Sequence, residues 1–157
     1  MEVNKTMRLG SIYLIVNDFE ESIAFYEKLL EMAVSSRNMD RFAQFIFYGK
    51  NISIMNGHFD TEHPDKVVHK GEYSELFDDL QSKALSQNTH KFVLNFWDED
   101  LQKEYERIKS LNLTKNLSKI KYVNNVSPYY FFCLTDPDGN IIEVTGNYSP
   151  KEGEFDE

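Results

Sequence analysis

Apolar residues recur along this chain in two rhythms that alternate. From Leu9 to Val16 nearly every position is apolar or small, the mark of a buried strand. Asp18 follows, with Glu21 three residues on, the spacing of a capping box. Ile23, Tyr26 and Leu30 then fall on one helical face. Arg41–Tyr48 and Asn51–Asn56 are predicted as strands turning at Gly49-Lys50, with a fainter strand signal over Val34–Asn38. Residues 57–90 break the pattern: they are polar, hold Pro64, Gly71, His58, His63 and His69, and read as a linker with one short helix, Ser74–Leu85.

After the linker the first pattern returns. Lys91–Trp97 reads as a strand and Asp98–Asp100 as an acidic helix start, with Leu101, Tyr105 and Ile108 on one face of the helix that follows. Ser118–Val123, Tyr129–Thr135 and Asn140–Gly146 complete the set of strands. The last two are joined by Asp136-Pro137-Asp138-Gly139, whose Pro and Gly fit the second and fourth places of a type I turn. The order β-α-β-β-β is therefore written twice, with Asp18 superposed on Asp98 and with Ile12, Leu14 and Val16 on Phe92, Leu94 and Phe96. The expectation is an α+β fold of two tandem βαβββ modules whose sheets pair. Module one is 8–56 and module two 91–148, within a single domain, 1–148; the acidic tail, 149–157, is expected to be mobile.

Composition narrows the function classes. Of 157 residues 41% are hydrophobic and 14% aromatic, enough to bury a core and to exclude wholesale disorder. The formal charge of −9 argues against a nucleic-acid surface and suits a cationic or neutral small ligand. One cysteine, Cys133, precludes an internal disulfide and makes a reducing, cytoplasmic setting the default expectation. The charged start, Met1 to Leu9, lacks the apolar core of a signal peptide, and no apolar run approaches the roughly 20 residues of a membrane helix.

Two motifs at opposite ends of this repeat resemble those of vicinal oxygen chelate proteins, the glyoxalase, bleomycin-resistance and extradiol-dioxygenase group. The run Val16-Asn17-Asp18-Phe19-Glu20-Glu21-Ser22-Ile23-Ala24-Phe25-Tyr26 is similar to their first strand and helix. Asp136-Pro137-Asp138-Gly139-Asn140-Ile141-Ile142-Glu143 is similar to their final hairpin. The resemblance covers about residues 8 to 148 and implies paired modules whose sheets curl around a ligand cavity, often in a homodimer.

The resemblance also implies four metal-ligand positions, normally His, Glu or Gln. They fall here on Ser11, Ser53, Lys91 and Glu143, so one of the four keeps a ligand type. An ammonium at Lys91 would repel a cation, and the expectation is that it stands in the metal's place and pairs with Glu143, unless Glu143 simply bonds backbone groups. A one-residue slip of the alignment would bring in His90 instead; a linker site at His58, His63 and His69 has no recognised spacing.

Strand parity turns Ser11 and Tyr13 inward in module one and Lys91, Asn95, Trp97 and Glu143 inward in module two. Ser11, Tyr13, Ser53, Lys91, Asn95, Trp97 and Glu143 are thus the candidate ligand-binding residues, and Glu143 the candidate catalytic one. Tyr129-Tyr130-Phe131-Phe132 reads mainly as core. Two functions fit: a metal-independent, cofactor-free binding protein for a small organic molecule, or a glyoxalase-type lyase, isomerase or dioxygenase with a divalent metal on Glu143.

Overall fold

The computed structural model describes residues 9–86, 90–125 and 127–155. The charged opening segment, apart from Leu9 itself, lies outside them, as does the end of the linker at 87–89. The chain divides after Ser86 into two compact units.

The first unit holds β1 (Tyr13–Val16), α1 (Phe19–Leu30), β2 (Ser36–Asn38), β3 (Phe42–Phe47) and β4 (Lys50–Asn56). Three short helices follow, α2 (Phe59–Glu62), α3 (Glu75–Asp78) and α4 (Leu80–Leu85). Its sheet runs β1-β4-β3-β2, with β1 parallel to β4 and the other pairs antiparallel. The second unit repeats the plan with β5 (Val93–Asp98), α5 (Leu101–Ser110), β6 (Lys121–Asn125), β7 (Ser127–Thr135) and β8 (Ile141–Gly146). Its sheet runs β5-β8-β7-β6, with β5 parallel to β8. This is the expected α+β, twice-written βαβββ order, and each ladder among the described residues stays within its own unit.

The two long helices, α1 and α5, form because the first turn of each is capped and one stripe is apolar. Asp18 accepts from Glu21 N at 3.0 Å, and α1 buries Phe19, Ile23, Tyr26 and Leu29. Leu29, three residues after Tyr26, takes the place expected for Leu30, which is only half-buried. Leu14, Val16, Phe45 and Ile54 form the sheet side of that core. In the second unit Leu101 and Ile108 are buried, and the Tyr105 ring meets Phe132 edge-on at 5.3 Å above Ile142, Val144 and Leu134.

Three local expectations are corrected. The β3–β4 turn is Tyr48-Gly49, since Phe47 pairs with Lys50. Both turn residues sit at positive φ, 49° and 71°, as a two-residue type I′ hairpin requires. The linker helix is two pieces, because Asp79 ends α3 and caps α4, accepting from Ser82 N at 3.1 Å. Finally, α5 is capped by Asp100, which accepts from Lys103 N at 3.1 Å, and not by Asp98, the last residue of β5. The equivalent capping residues of the two units are therefore Asp18 and Asp100, a shift of two from the sequence superposition.

Glu154 N donates to Lys151 O at 3.0 Å, closing a turn that sets the Phe155 ring among Tyr122, Tyr130 and Tyr148.

Candidate functional site

A shift of two leaves strand parity untouched, so the second-sheet residues expected to share a face do share it, on the side away from α5. Asn95, Glu143 and Cys133 form one cross-strand row; Trp97, Thr145, Phe131 and Lys121 form the next. The Asn95 amide Nδ2 donates to Glu143 Oε1 at 2.8 Å. Burial, and secondarily the Glu143 carboxylate across the row, push the Cys133 thiol above its ordinary range, so it is a poor nucleophile.

The expected Lys91–Glu143 pair does not form. Lys91 is exposed, precedes β5, and stands four residues from Asn95, about 13 Å along the strand at roughly 3.3 Å per residue. Glu143 is satisfied by neither alternative from the sequence, lysine or backbone, but by the neighbouring Asn95 side chain.

The first unit presents a different row. Tyr13, Ser53, Gln44 and Ser36 are register partners. Gln44 Nε2 donates to Ser53 Oγ at 3.2 Å, and the Ser53 hydroxyl donates to Asn51 Oδ1 at 3.5 Å. Ser53 is 0% exposed, so its hydroxyl has no free surface to offer a ligand. Ser11 lies half-buried ahead of β1, and Tyr13 is exposed with its ring edge-on to Phe42 at 5.9 Å.

The true capping residue also changes the fourth metal position. Seven residues before Asp100 stands Val93, an aliphatic, in place of Lys91. Ser11, Ser53, Val93 and Glu143 offer one carboxylate and no imidazole, and that carboxylate and the Ser53 hydroxyl are already hydrogen-bonded. This donor set does not fit a zinc-, nickel- or iron-type centre, which needs three or four N, S or carboxylate ligands. His90 does not repair it: it is exposed, ahead of β5, at a positive φ of 61°.

The linker histidines do not converge. His58 Nε2 meets Asn17 Oδ1 at 2.7 Å, His63 meets Asp40 at 2.8 Å and His69 meets Asp60 at 3.1 Å. Among the described residues, the one group of three whose donor atoms gather is Asp40, Glu62 and His63, within 4.8 Å of one another. The His63 hydrogen bond holds the Asp40 carboxyl below its usual range.

A pocket of about 740 Å³ belongs to the second unit. Trp97, Tyr122, Tyr129, Tyr130 and Tyr148 line it, and Asn95 and Glu143 supply its polar end. Of the candidates, the pocket brings together Asn95, Trp97 and Glu143; Lys91 is not on its wall, and Ser11, Tyr13 and Ser53 belong to the other unit. Tyr122, Tyr129, Tyr130 and Tyr148 escaped the sequence reading as site residues. Tyr122 and Tyr130 share the strand face that elsewhere packs under α5, one row beyond Phe132, and Tyr148 follows β8.

The βαβββ plan written twice, each sheet backed by a helix, is the architecture that the two end motifs imply. The chain belongs to the glyoxalase-like domain family, whose model matches residues 9–149. Its fold is similar to that of a bleomycin-binding protein solved in complex with bleomycin: 16% identity, TM-score 0.56, over 90% of this chain and 100% of that one. It is similar also to lactoylglutathione lyase from Agrobacterium tumefaciens: 13% identity, TM-score 0.59, over 92% and 96%. A glyoxalase/bleomycin resistance protein from Albidiferax ferrireducens T118 aligns at 16% identity and TM-score 0.59, over 88% and 98%. No curated protein matches the chain by sequence. Likeness at these identities is likeness of fold. Among the described residues no helix is long and apolar enough to cross a membrane.

Proposed function

We propose that this protein binds a small organic cation in the pocket of its second unit, without a metal and without turning it over. The observation that carries the reading is the pocket wall: five aromatic residues contribute to it, and so does one carboxylate whose own hydrogen bond comes from a neutral amide. Ring faces attract a cationic group by about 0.5–2 kcal/mol each when desolvated, and Glu143 adds a charge of the right sign. The net charge of −9 draws the same class of ligand. The bleomycin-binding neighbour supports small-molecule binding on this fold, and the metal-dependent lyase alternative is weakened by the donor set at Ser11, Ser53, Val93 and Glu143. The expected homodimer is a separate part of this reading, tested by sedimentation equilibrium.

The test is a titration with N-methylquinolinium, followed through Trp97, the single tryptophan. The expected result is saturable binding at least tenfold tighter than that of neutral quinoline at pH 8, with the preference lost in Glu143→Gln. Equal affinity for the two would overturn the cation reading, and absence of saturable binding by either would overturn the pocket.

A further inference from the structure

Three of the four pocket tyrosines that sequence reasoning missed, Tyr122, Tyr130 and Tyr148, share a feature: each has its ring near that of Phe155. Its centroid is 5.8 Å from that of Tyr130, 6.4 Å from Tyr148 and 6.5 Å from Tyr122. The tyrosines also meet one another, Tyr130 with Tyr122 and Tyr148, both at 5.2 Å. Phe155 is not itself on the pocket wall; it stands beside residues that are.

What holds Phe155 there is its neighbour. Glu154 uses both carboxylate oxygens within the segment: Oε1 accepts from Lys151 N at 2.9 Å, and Oε2 accepts from the Tyr148 hydroxyl at 2.6 Å. One carboxylate therefore closes the turn and fastens it to a pocket tyrosine. Gly153 at φ 75° supplies the left-handed residue that brings Glu154 and Phe155 round.

We propose that residues 151–155 form a clasp behind the ligand pocket, in which Phe155 and Glu154 are positioning residues that set the orientation of Tyr122, Tyr130 and Tyr148 and hence the affinity for an aromatic cation. The proposal rests on the pocket reading above and extends it to a segment that touches no ligand. Its physical basis is pre-organisation. A partly exposed tyrosine with no ring beside it rotates about χ1 in water; one packed on Phe155 is held in its orientation before the ligand arrives. Cation–π attraction depends on that orientation, so loss of the clasp weakens binding without removing any contact to the ligand.

The experiment compares wild type, Phe155→Ala, Phe155→Tyr and Glu154→Ala by calorimetric titration with N-methylquinolinium, beside their melting curves and near-ultraviolet circular dichroism. The expected result is a five- to twentyfold loss of affinity in Phe155→Ala and Glu154→Ala, at a melting temperature within 3 °C of wild type, with affinity restored in Phe155→Tyr. Wild-type affinity in Phe155→Ala would overturn the clasp. So would a loss that Phe155→Tyr fails to restore. If wild type itself does not bind the probe, the pocket reading fails and the tyrosine band near 275 nm decides the clasp: its collapse in Phe155→Ala with return in Phe155→Tyr upholds the positioning role, and an unchanged band overturns it.

Discussion

Gly146 is where the backbone of the second unit leaves least room, and its replacement tests the register on which the pocket rests. The residue pairs with Asp98 on the β5 side and Tyr130 on the β7 side. A Cβ added there would lie 2.0 Å from Asp98 O and 3.1 Å from Asp98 C, both backbone atoms. A side chain could swing away, but a ladder carbonyl cannot move by more than an ångström without breaking the end of the β5–β8 pairing. Gly146→Ala is therefore expected to cost about 3 kcal/mol, the upper end of the overpacking range. At roughly 2–4 °C per kcal/mol for a chain of this size, melting falls by about 6–12 °C. Two other glycines calibrate the effect. Gly10 has nothing within 4 Å of its added Cβ, so Gly10→Ala should lie within about 0.5 kcal/mol of wild type. Gly139 also has open space but a φ of +83°, so Gly139→Ala should cost about 1–2 kcal/mol from conformation alone. Urea unfolding followed through Trp97, whose register partner Thr145 adjoins Gly146, reads the perturbation where it acts. Melting of Gly146→Ala within 2 °C of Gly10→Ala would refute the β5–β8 register, and with it the Asn95–Glu143 row.

Three further outcomes are expected of the same fold. Phe132 is 0% exposed beneath Tyr105, so Phe132→Ala should cost about 3–5 kcal/mol, read by urea midpoint. The clasp should respond to pH at both ends. Its hydrogen bond to Tyr148 holds the Glu154 carboxyl below its usual range, so that contribution is intact above the ordinary carboxylate value and lost as pH falls through the depressed one. The Tyr148 phenol is pushed up to about 12 by the same bond, so its contribution is intact below the ordinary phenol value near 10 and lost as pH rises toward 12. Near-ultraviolet circular dichroism should show both losses in wild type, and a Glu154→Ala protein that shows them unchanged would count against the bond. In a calorimetric zinc titration, any uptake should disappear in His63→Ala and survive Glu143→Gln, because imidazole and carboxylate donors gather only at Asp40, Glu62 and His63 among the described residues. Uptake abolished by Glu143→Gln would reverse the metal-independent reading.

The alternation of rhythms made the βαβββ repeat legible, because strand and helix periods are set locally. The alignment of the two halves was not, for a reason visible in the residues. Asp98, Glu99 and Asp100 are three consecutive acids, any of which could cap a helix, and only the bond from Lys103 N to Asp100 distinguishes them. The error of two preserved every strand face, so Asn95, Trp97 and Glu143 were correctly turned toward one side, while Lys91 was placed in a row it does not reach. The tyrosine wall was hidden for another reason. Tyr129 and Tyr130 read mainly as core and Tyr122 drew no reading, yet the row that pairs Tyr122 with Tyr130 meets Phe155, in a short segment about fifty residues downstream of α5's start. No periodicity reports such an arrangement, since it depends on where the chain returns.

The two halves share a topology but not a chemistry, and the difference bears on which half recognises a ligand. Equivalent positions are Tyr13 with Asn95 and Ser53 with Glu143, fixed by the β1–β4 and β5–β8 registers. In the first unit that row closes on itself: Ser53, Gln44, Asn51 and Ser36 bond one another, and the serine has no exposed surface. A row of mutually satisfied neutral groups is inert toward a ligand, because a newcomer must break a bond for each one it makes. In the second unit the row carries a carboxylate with one neutral partner and lone pairs to spare, at the edge of an aromatic wall. Burying an organic cation there exchanges water for an opposite charge and ring faces, and leaves no donor or acceptor orphaned. The proposed recognition therefore belongs to the second unit, while the first unit's polar row serves its own sheet.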